Sequence, residues 1–181
     1  MLLLLLLTLG QPTTAGTNDF VLAPGRAGSI ELGITVDLLF SRVGRKNTRL
    51  LDLQLEGTFS PAIEVTVPGR SRALLAEIGE GFRISRLRVR DPRFKTAQGV
   101  GVGSTYAELR RAYKTQPPAH GEGDVHVPVP ELQMSFCFGS EYYGRRSELP
   151  DLAKVTAVLL LPPPDVDAWK PLPHASQTPQ L

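Results

Sequence analysis

A chain of 181 residues with a formal charge of +2 holds one domain or two very small ones, and its charge is too slight to make nucleic acid a general partner. Hydrophobic content of 41% and charged content of 21% match ordinary soluble proteins, which excludes wholesale disorder and a multi-span membrane protein. The 17 glycines and 16 prolines favour short strands joined by turns, and one cysteine excludes an intramolecular disulfide framework and a cysteine-cluster metal site.

The first element is a processing segment. Leu2 through Leu7, Thr8 and Leu9 form an apolar run too short to span a bilayer, followed by Gly10, Pro12 and the small residues Thr13 to Gly16. This reads as a signal peptide over residues 1–15, with Thr13 and Ala15 at −3 and −1 of a cleavage after Ala15, although no Lys or Arg precedes the leucines. The expected compartment is periplasmic or secreted, with no transmembrane segment in the mature chain.

Between Asn18 and Leu161 the chain repeats itself. Gly28 to Leu39 matches Gln98 to Leu109 at an offset of 70, with Gly33/Gly103, Thr35/Thr105 and Leu39/Leu109 coincident. Ile84 to Pro92 matches Val155 to Pro163 at an offset of 71. The expected fold class is therefore α+β: two tandem units of about 70 residues, over 18–95 and 96–161, each a short helix packed on an antiparallel β-sheet.

In chain order, Ile30 and Leu32 predict a short strand, Gly33 a turn and Thr35 the N-cap of a helix over Val36 to Val43 that buries Leu39, Phe40 and Val43. Alternating apolar residues predict strands over Arg49 to Leu55, Ala62 to Val67, Ala73 to Ile78 and Phe82 to Arg90. Thr105 caps a second helix over Tyr106 to Tyr113 that buries Leu109 and Tyr113. Strands at Val125 to Val129, Leu132 to Phe138 and Val155 to Leu161 follow; the last is apolar on both faces and belongs at the centre of a sheet or under a cover. Residues 162–181 hold six prolines and little periodicity and read as a disordered tail, with Trp169 as its one adhesive side chain.

The opening motif, Gly-x-Ile/Val-x-Leu/Val-Gly-x-Thr-x-x-x-Leu, resembles the repeat of SmpA/OmlA-type outer-membrane assembly lipoprotein domains and of the β-lactamase inhibitor protein family. That resemblance implies a helical segment packed on an antiparallel sheet and a role in protein binding without catalysis. The lipoprotein cysteine of the first and the disulfides of the second are absent, so it carries over no particular partner. Arg93 to Thr105 also resembles a stretch of uncharacterised exported bacterial proteins.

Arg83, Arg86, Arg88, Arg90, Arg93 and Lys95 face only Asp91 in sequence. On a strand Arg86, Arg88 and Arg90 share one side, either gripping carboxylates or phosphates bidentately or covering apolar surface with their stems. With Tyr142 and Tyr143 they are the expected contacts for an exported or envelope protein or an anionic envelope polymer. His120, Glu122, Asp124 and His126 alternate and would project together from an extended segment, a weak metal-site pattern that a mobile hairpin tip explains equally well. They carry the alternative function, a cell-envelope hydrolase or metal-dependent enzyme. Cys137, between Phe136 and Phe138, reads as a buried inert thiol, and Gly99, Gly101 and Gly103 lack the spacing of a phosphate loop. No cofactor is expected.

Overall fold

The structure is a computed structural model and describes residues 20–55, 58–67, 70–121, 123–142 and 149–162. The signal segment, Glu122, Tyr143 and the tail beyond Pro162, Trp169 included, lie outside the described residues. Three two-residue strands come first, β1 (Leu22–Ala23), β2 (Arg26–Ala27) and β3 (Ile30–Glu31), paired in order as a small antiparallel sheet. Helix α1 (Val36–Val43) then leads into a meander of β4 (Thr48–Leu55), β5 (Thr58–Val67), β6 (Arg70–Ile78) and β7 (Ile84–Val89). Helix α2 (Tyr106–Ala112) opens a second meander of β8 (Ala119–Gly121), β9 (Asp124–Val129), β10 (Met134–Phe138) and β11 (Val155–Leu160).

The two meanders are not two helix-on-sheet units, and here the α+β expectation is corrected. They form one eight-stranded antiparallel sheet, in the order β4-β5-β6-β7-β11-β10-β9-β8, and the fold is mostly β. The cause lies in the last strand of each half. β7 buries Ile84, Leu87 and Val89, and β11 buries Val155, Val158 and Leu160. Such apolar strands cannot leave a row of backbone N–H and C=O groups unpaired in a core, so each edge closes on the other. The helices, of eight and seven residues, are too short to build a layer for each half. The doubly apolar β11 does lie centrally, between β7 and β10.

The main core sits between one face of this sheet and the helices with β1 to β3. Leu39 and Leu109 are fully buried there, Phe40, Val43 and Tyr113 partly so, and Tyr106 meets Phe138 edge-on at 5.6 Å. A smaller cluster of Cys137, Ala157 and Leu159, with Leu161 packed against it, lies on the opposite face.

Gly33/Gly103, Ile84/Val155 and Ser85/Thr156, 70 or 71 positions apart, make similar hydrogen bonds. Gly33 N donates to Ile84 O at 2.7 Å and Gly103 N to Val155 O at 2.8 Å; both glycines have positive φ, 82° and 85°. The β6–β7 register shifts between Glu77 and Ile78, and the β10–β11 register between Cys137 and Phe138. At those bulges Ser85 Oγ donates to Glu77 O at 3.3 Å and Thr156 Oγ1 to Cys137 O at 3.2 Å. Where β7 meets β11, Arg88 opposes Leu159, flanked by Leu87 opposite Leu160 and Val89 opposite Val158. That register is symmetric about the Arg88/Leu159 pair.

Candidate functional site

The face of the sheet turned away from the helices carries most of the chemistry the sequence singles out. Strand parity places Arg86 and Arg88 on it, since Leu87 and Val89 take the core side. Neither arginine stands alone. Arg86 Nε donates to Glu77 Oε1 of β6 at 2.8 Å, and Arg88 Nη1 donates to Asp124 Oδ2 of β9 at 3.2 Å. Further out, Arg49 of β4 meets Glu64 of β5 at 3.4 Å. The expected arginine row is thus largely a set of internal ion pairs, with Arg88 only 12% exposed. Arg90 is exposed just past the end of β7. Sequence reasoning missed both partners: Asp124 is 36 residues from Arg88 and became its neighbour through strand order, while Glu77 opposes Arg86 through the β6–β7 hairpin register, which alternation alone does not give.

The Arg88–Asp124 bond also defines the shape of the face. Two strands, β11 and β10, separate their strands, and Asp124 lies four residues along β9 from Pro128, which shares a cross-strand row with Ser135, Leu159 and Arg88. On a flat sheet the two Cα atoms would be about 19 Å apart, from strand spacings of about 4.8 Å and rises of about 3.3 Å per residue. Two side chains and a hydrogen bond cannot span that. The sheet is therefore strongly twisted and coiled toward this side, which is concave. The stem of Arg88 passes over Leu159, and the floor beneath is closed: Ser135, Cys137, Ala157 and Leu159 are all buried.

Cys137 stands directly opposite His126, its Sγ 3.6 Å from His126 Nδ1, while His126 Nε2 lies 2.7 Å from Gly121 O. A carbonyl only accepts, so in the neutral ring Nε2 carries the proton and Nδ1 accepts from the thiol. Cys137 is 0% exposed. The pair has the bond pattern of an activated thiol, but the sulfur is shut away from any solvent-borne substrate, and it packs the floor of the face.

Among the described residues of the 120–126 pattern, His120 does not share a side with Asp124 and His126. β8 and β9 form a tight hairpin in which His120 opposes Val125 and Gly121 opposes Asp124. The turn reverses the parity, so His120 projects on the side of Val125 while Asp124 and His126 project on the concave side. Glu122 lies outside the described residues. Among the described residues no group of three or more His, Cys, Asp or Glu is placed to hold a metal ion. Tyr142 is partly buried against the main core.

Leu38, Phe82 and Leu152 are exposed apolar side chains elsewhere, but two others lie close together at one end of the sheet. β4 is the terminal strand, and among the described residues no strand pairs with its outer edge. Leu50 of β4 and Phe59 of β5 are each 68% exposed. Pro61, exposed and opposite Asp52, lies between them on the same side, giving a continuous strip Leu50–Pro61–Phe59. Leu51 and Leu53 are half-buried on the other side of β4. Among the described residues no helix is long and apolar enough to cross a membrane.

No protein-family model matches the chain, and no curated protein matches it. Its structure is similar to the crystal structure of the uncharacterized protein yfeY from Escherichia coli, at 18% sequence identity and a TM-score of 0.53, over 80% of this chain and 99% of that one. At that identity the likeness extends to the fold alone.

Proposed function

We propose that the chain is an exported, non-catalytic protein-binding module, of inhibitory or assembly type, that takes its partner on the β4 edge of the eight-stranded sheet. The observation that carries this reading is β4: a long terminal strand with apolar side chains on both sides and the exposed strip Leu50–Pro61–Phe59 beside it. An open edge offers main-chain hydrogen bonds to an extended segment, and the flanking side chains supply pockets that select its sequence. Isolated proteins usually guard such edges with charge, proline or a bulge, because an apolar edge invites aggregation. Arg49 and Asp52 guard β4 only lightly. Export rests on the leucine-rich start, and it suits a partner in the cell envelope.

The test is affinity capture from cell-envelope extract with tagged chain from Gly16 onward, comparing wild type, Leu50→Lys/Phe59→Lys and Leu53→Pro. A partner retained by wild type and lost by both edge variants, each still folded by circular dichroism, is the expected result. A partner that binds the edge variants equally well, or no partner at all, overturns the reading. Arginine variants on this face are poor controls: removing Arg86 and Arg88 would strand Glu77 and Asp124, and a loss would then report on the fold.

A further inference from the structure

A cavity of about 360 Å³ lies between α1, the small sheet and the β5/β6 side of the large one. Its floor is apolar: Ile30, Val65, Leu74 and Phe94 are each no more than 4% exposed. Two guanidinium groups, of Arg42 and Arg93, also line it. Arg93 is held rigidly, chelating the buried Asp91 through Nε and Nη2 and stacking on the Phe20 ring at 4.3 Å. Arg42 donates to Ser29 O at 2.7 Å and meets Glu31 at 3.4 Å in a pair exposed enough to be worth little in water.

The negative groups near this mouth are already engaged. Asp91 is fully buried and accepts from the Arg93 backbone N–H as well as its side chain. At the end of α1, Phe40 O accepts from Gly44 N and Val43 O from Asn47 Nδ2. Arg45 and Lys46 add positive charge just beyond. The cavity at the corresponding place beside α2, about 320 Å³, differs in kind, because Glu108 and Arg111 line it and Ala112 stands where α1 has Arg42.

We propose that the α1 cavity binds a small amphipathic anion, an oxyanion headgroup on a short linear apolar tail, with the tail on the Ile30/Leu74/Phe94 floor and the headgroup on Arg42 beside Arg93. A pocket near the lower end of the size range for small-ligand sites suits a short tail. Arginine suits the headgroup because its planar fork matches a carboxylate or phosphate. This inference does not depend on β4 taking a partner strand.

Isothermal titration of the chain from Gly16 onward with octanoate, octyl phosphate and octanol tests it. Octanoate binds one-to-one, and octanol, with the same tail and no charge, binds at least about tenfold more weakly. Arg42→Gln weakens octanoate about tenfold and leaves octanol unchanged, while Ser29→Trp, on the exposed rim, abolishes both. Both variants should melt within a few degrees of wild type, because neither position is buried. Octyl phosphate binding like octanoate extends the site to oxyanions in general, and its failure to bind narrows the site to carboxylates. Equal binding of octanol and octanoate, an Arg42→Gln variant with wild-type affinity, or no octanoate binding overturns the proposal.

Discussion

Arg88 in β7 and Asp124 at the start of β9 meet at 3.2 Å although two strands lie between theirs. The pair is a strut across the concave face, 12% and 22% exposed at its two side chains. Asp124→Ala takes one carboxylate from a mostly buried guanidinium and should cost up to about 2 kcal/mol, between an exposed pair and a fully buried one. Urea unfolding measures this. A double-mutant cycle with Arg88→Met should recover much of the loss, and strict additivity would mean that the two residues do not interact.

The two helix starts differ in a way that stability can read. Thr105 accepts from Glu108 N at 3.2 Å while the Glu108 carboxylate accepts from Thr105 N at 2.7 Å, a reciprocal capping box. Thr35 has only the bond from Leu38 N at 3.3 Å, because the third helical residue of α1 is a leucine. Thr105→Ala should therefore cost about 1 to 2 kcal/mol and Thr35→Ala about 0.5 to 1, by thermal or chemical denaturation.

Those hydrogen bonds from Thr105 also hold the Glu108 carboxyl below the usual glutamate range. A group whose pKa is lowered on folding stabilises above its unfolded pKa and loses that contribution as pH falls through the folded value. The difference in melting temperature between wild type and Glu108→Gln should be present at pH 7 and shrink steadily below about pH 4. A difference constant from pH 7 to pH 3 would dismiss the charged carboxylate as the source.

Glycines 99, 101 and 103 serve different ends. Gly99 and Gly103 have φ of 76° and 85°, with open space where a side chain would stand, so alanine there is strained by conformation alone. Gly101 has no such φ, but a Cβ on it would lie 2.2 Å from Phe94 O. That neighbour is backbone and cannot rotate away, so Gly101→Ala should destabilise by about 2 to 3 kcal/mol, against about 1 for Gly99→Ala.

Cys137 gives a built-in probe. With the sulfur fully buried, a thiol reagent should modify native protein only through opening of the sheet. Labelling that rises with urea in step with unfolding is expected, and rapid stoichiometric labelling of native protein would mean that the concave face opens readily.

Local chemistry was legible in these residues, and pairing between distant segments was not. Thr35 and Thr105 announced both helices because a cap and an apolar stripe are short-range signals, and α1 begins and ends where its sequence indicates. Alternation located most strands and the side on which Arg86 and Arg88 emerge. Nothing local states that β7 should pair with β11, and that single pairing turned two expected sheets into one. The same gap hid Asp124 as a partner of Arg88, since β9 comes near β7 only through that pairing. At His120 alternation leaves two outcomes open, an extended segment or a hairpin, and the β8–β9 pairing is the hairpin, which reverses the parity. Arg42 and Arg93, 51 positions apart, share a cavity only because α1 packs beside the small sheet.

The meeting of β7 and β11 bears on how the chain folds. Every other neighbouring pair among the described strands of the large sheet is consecutive in sequence, whereas this one joins residues about seventy positions apart. Contacts of low separation tend to form first, so each meander is expected to assemble before the two meet, with an apolar edge uncovered until then. At low concentration the collision is intramolecular and first order. At high concentration the same edge meets a neighbour's, and the register that closes one chain closes two chains into an exchanged dimer, so refolding yield should fall as concentration rises.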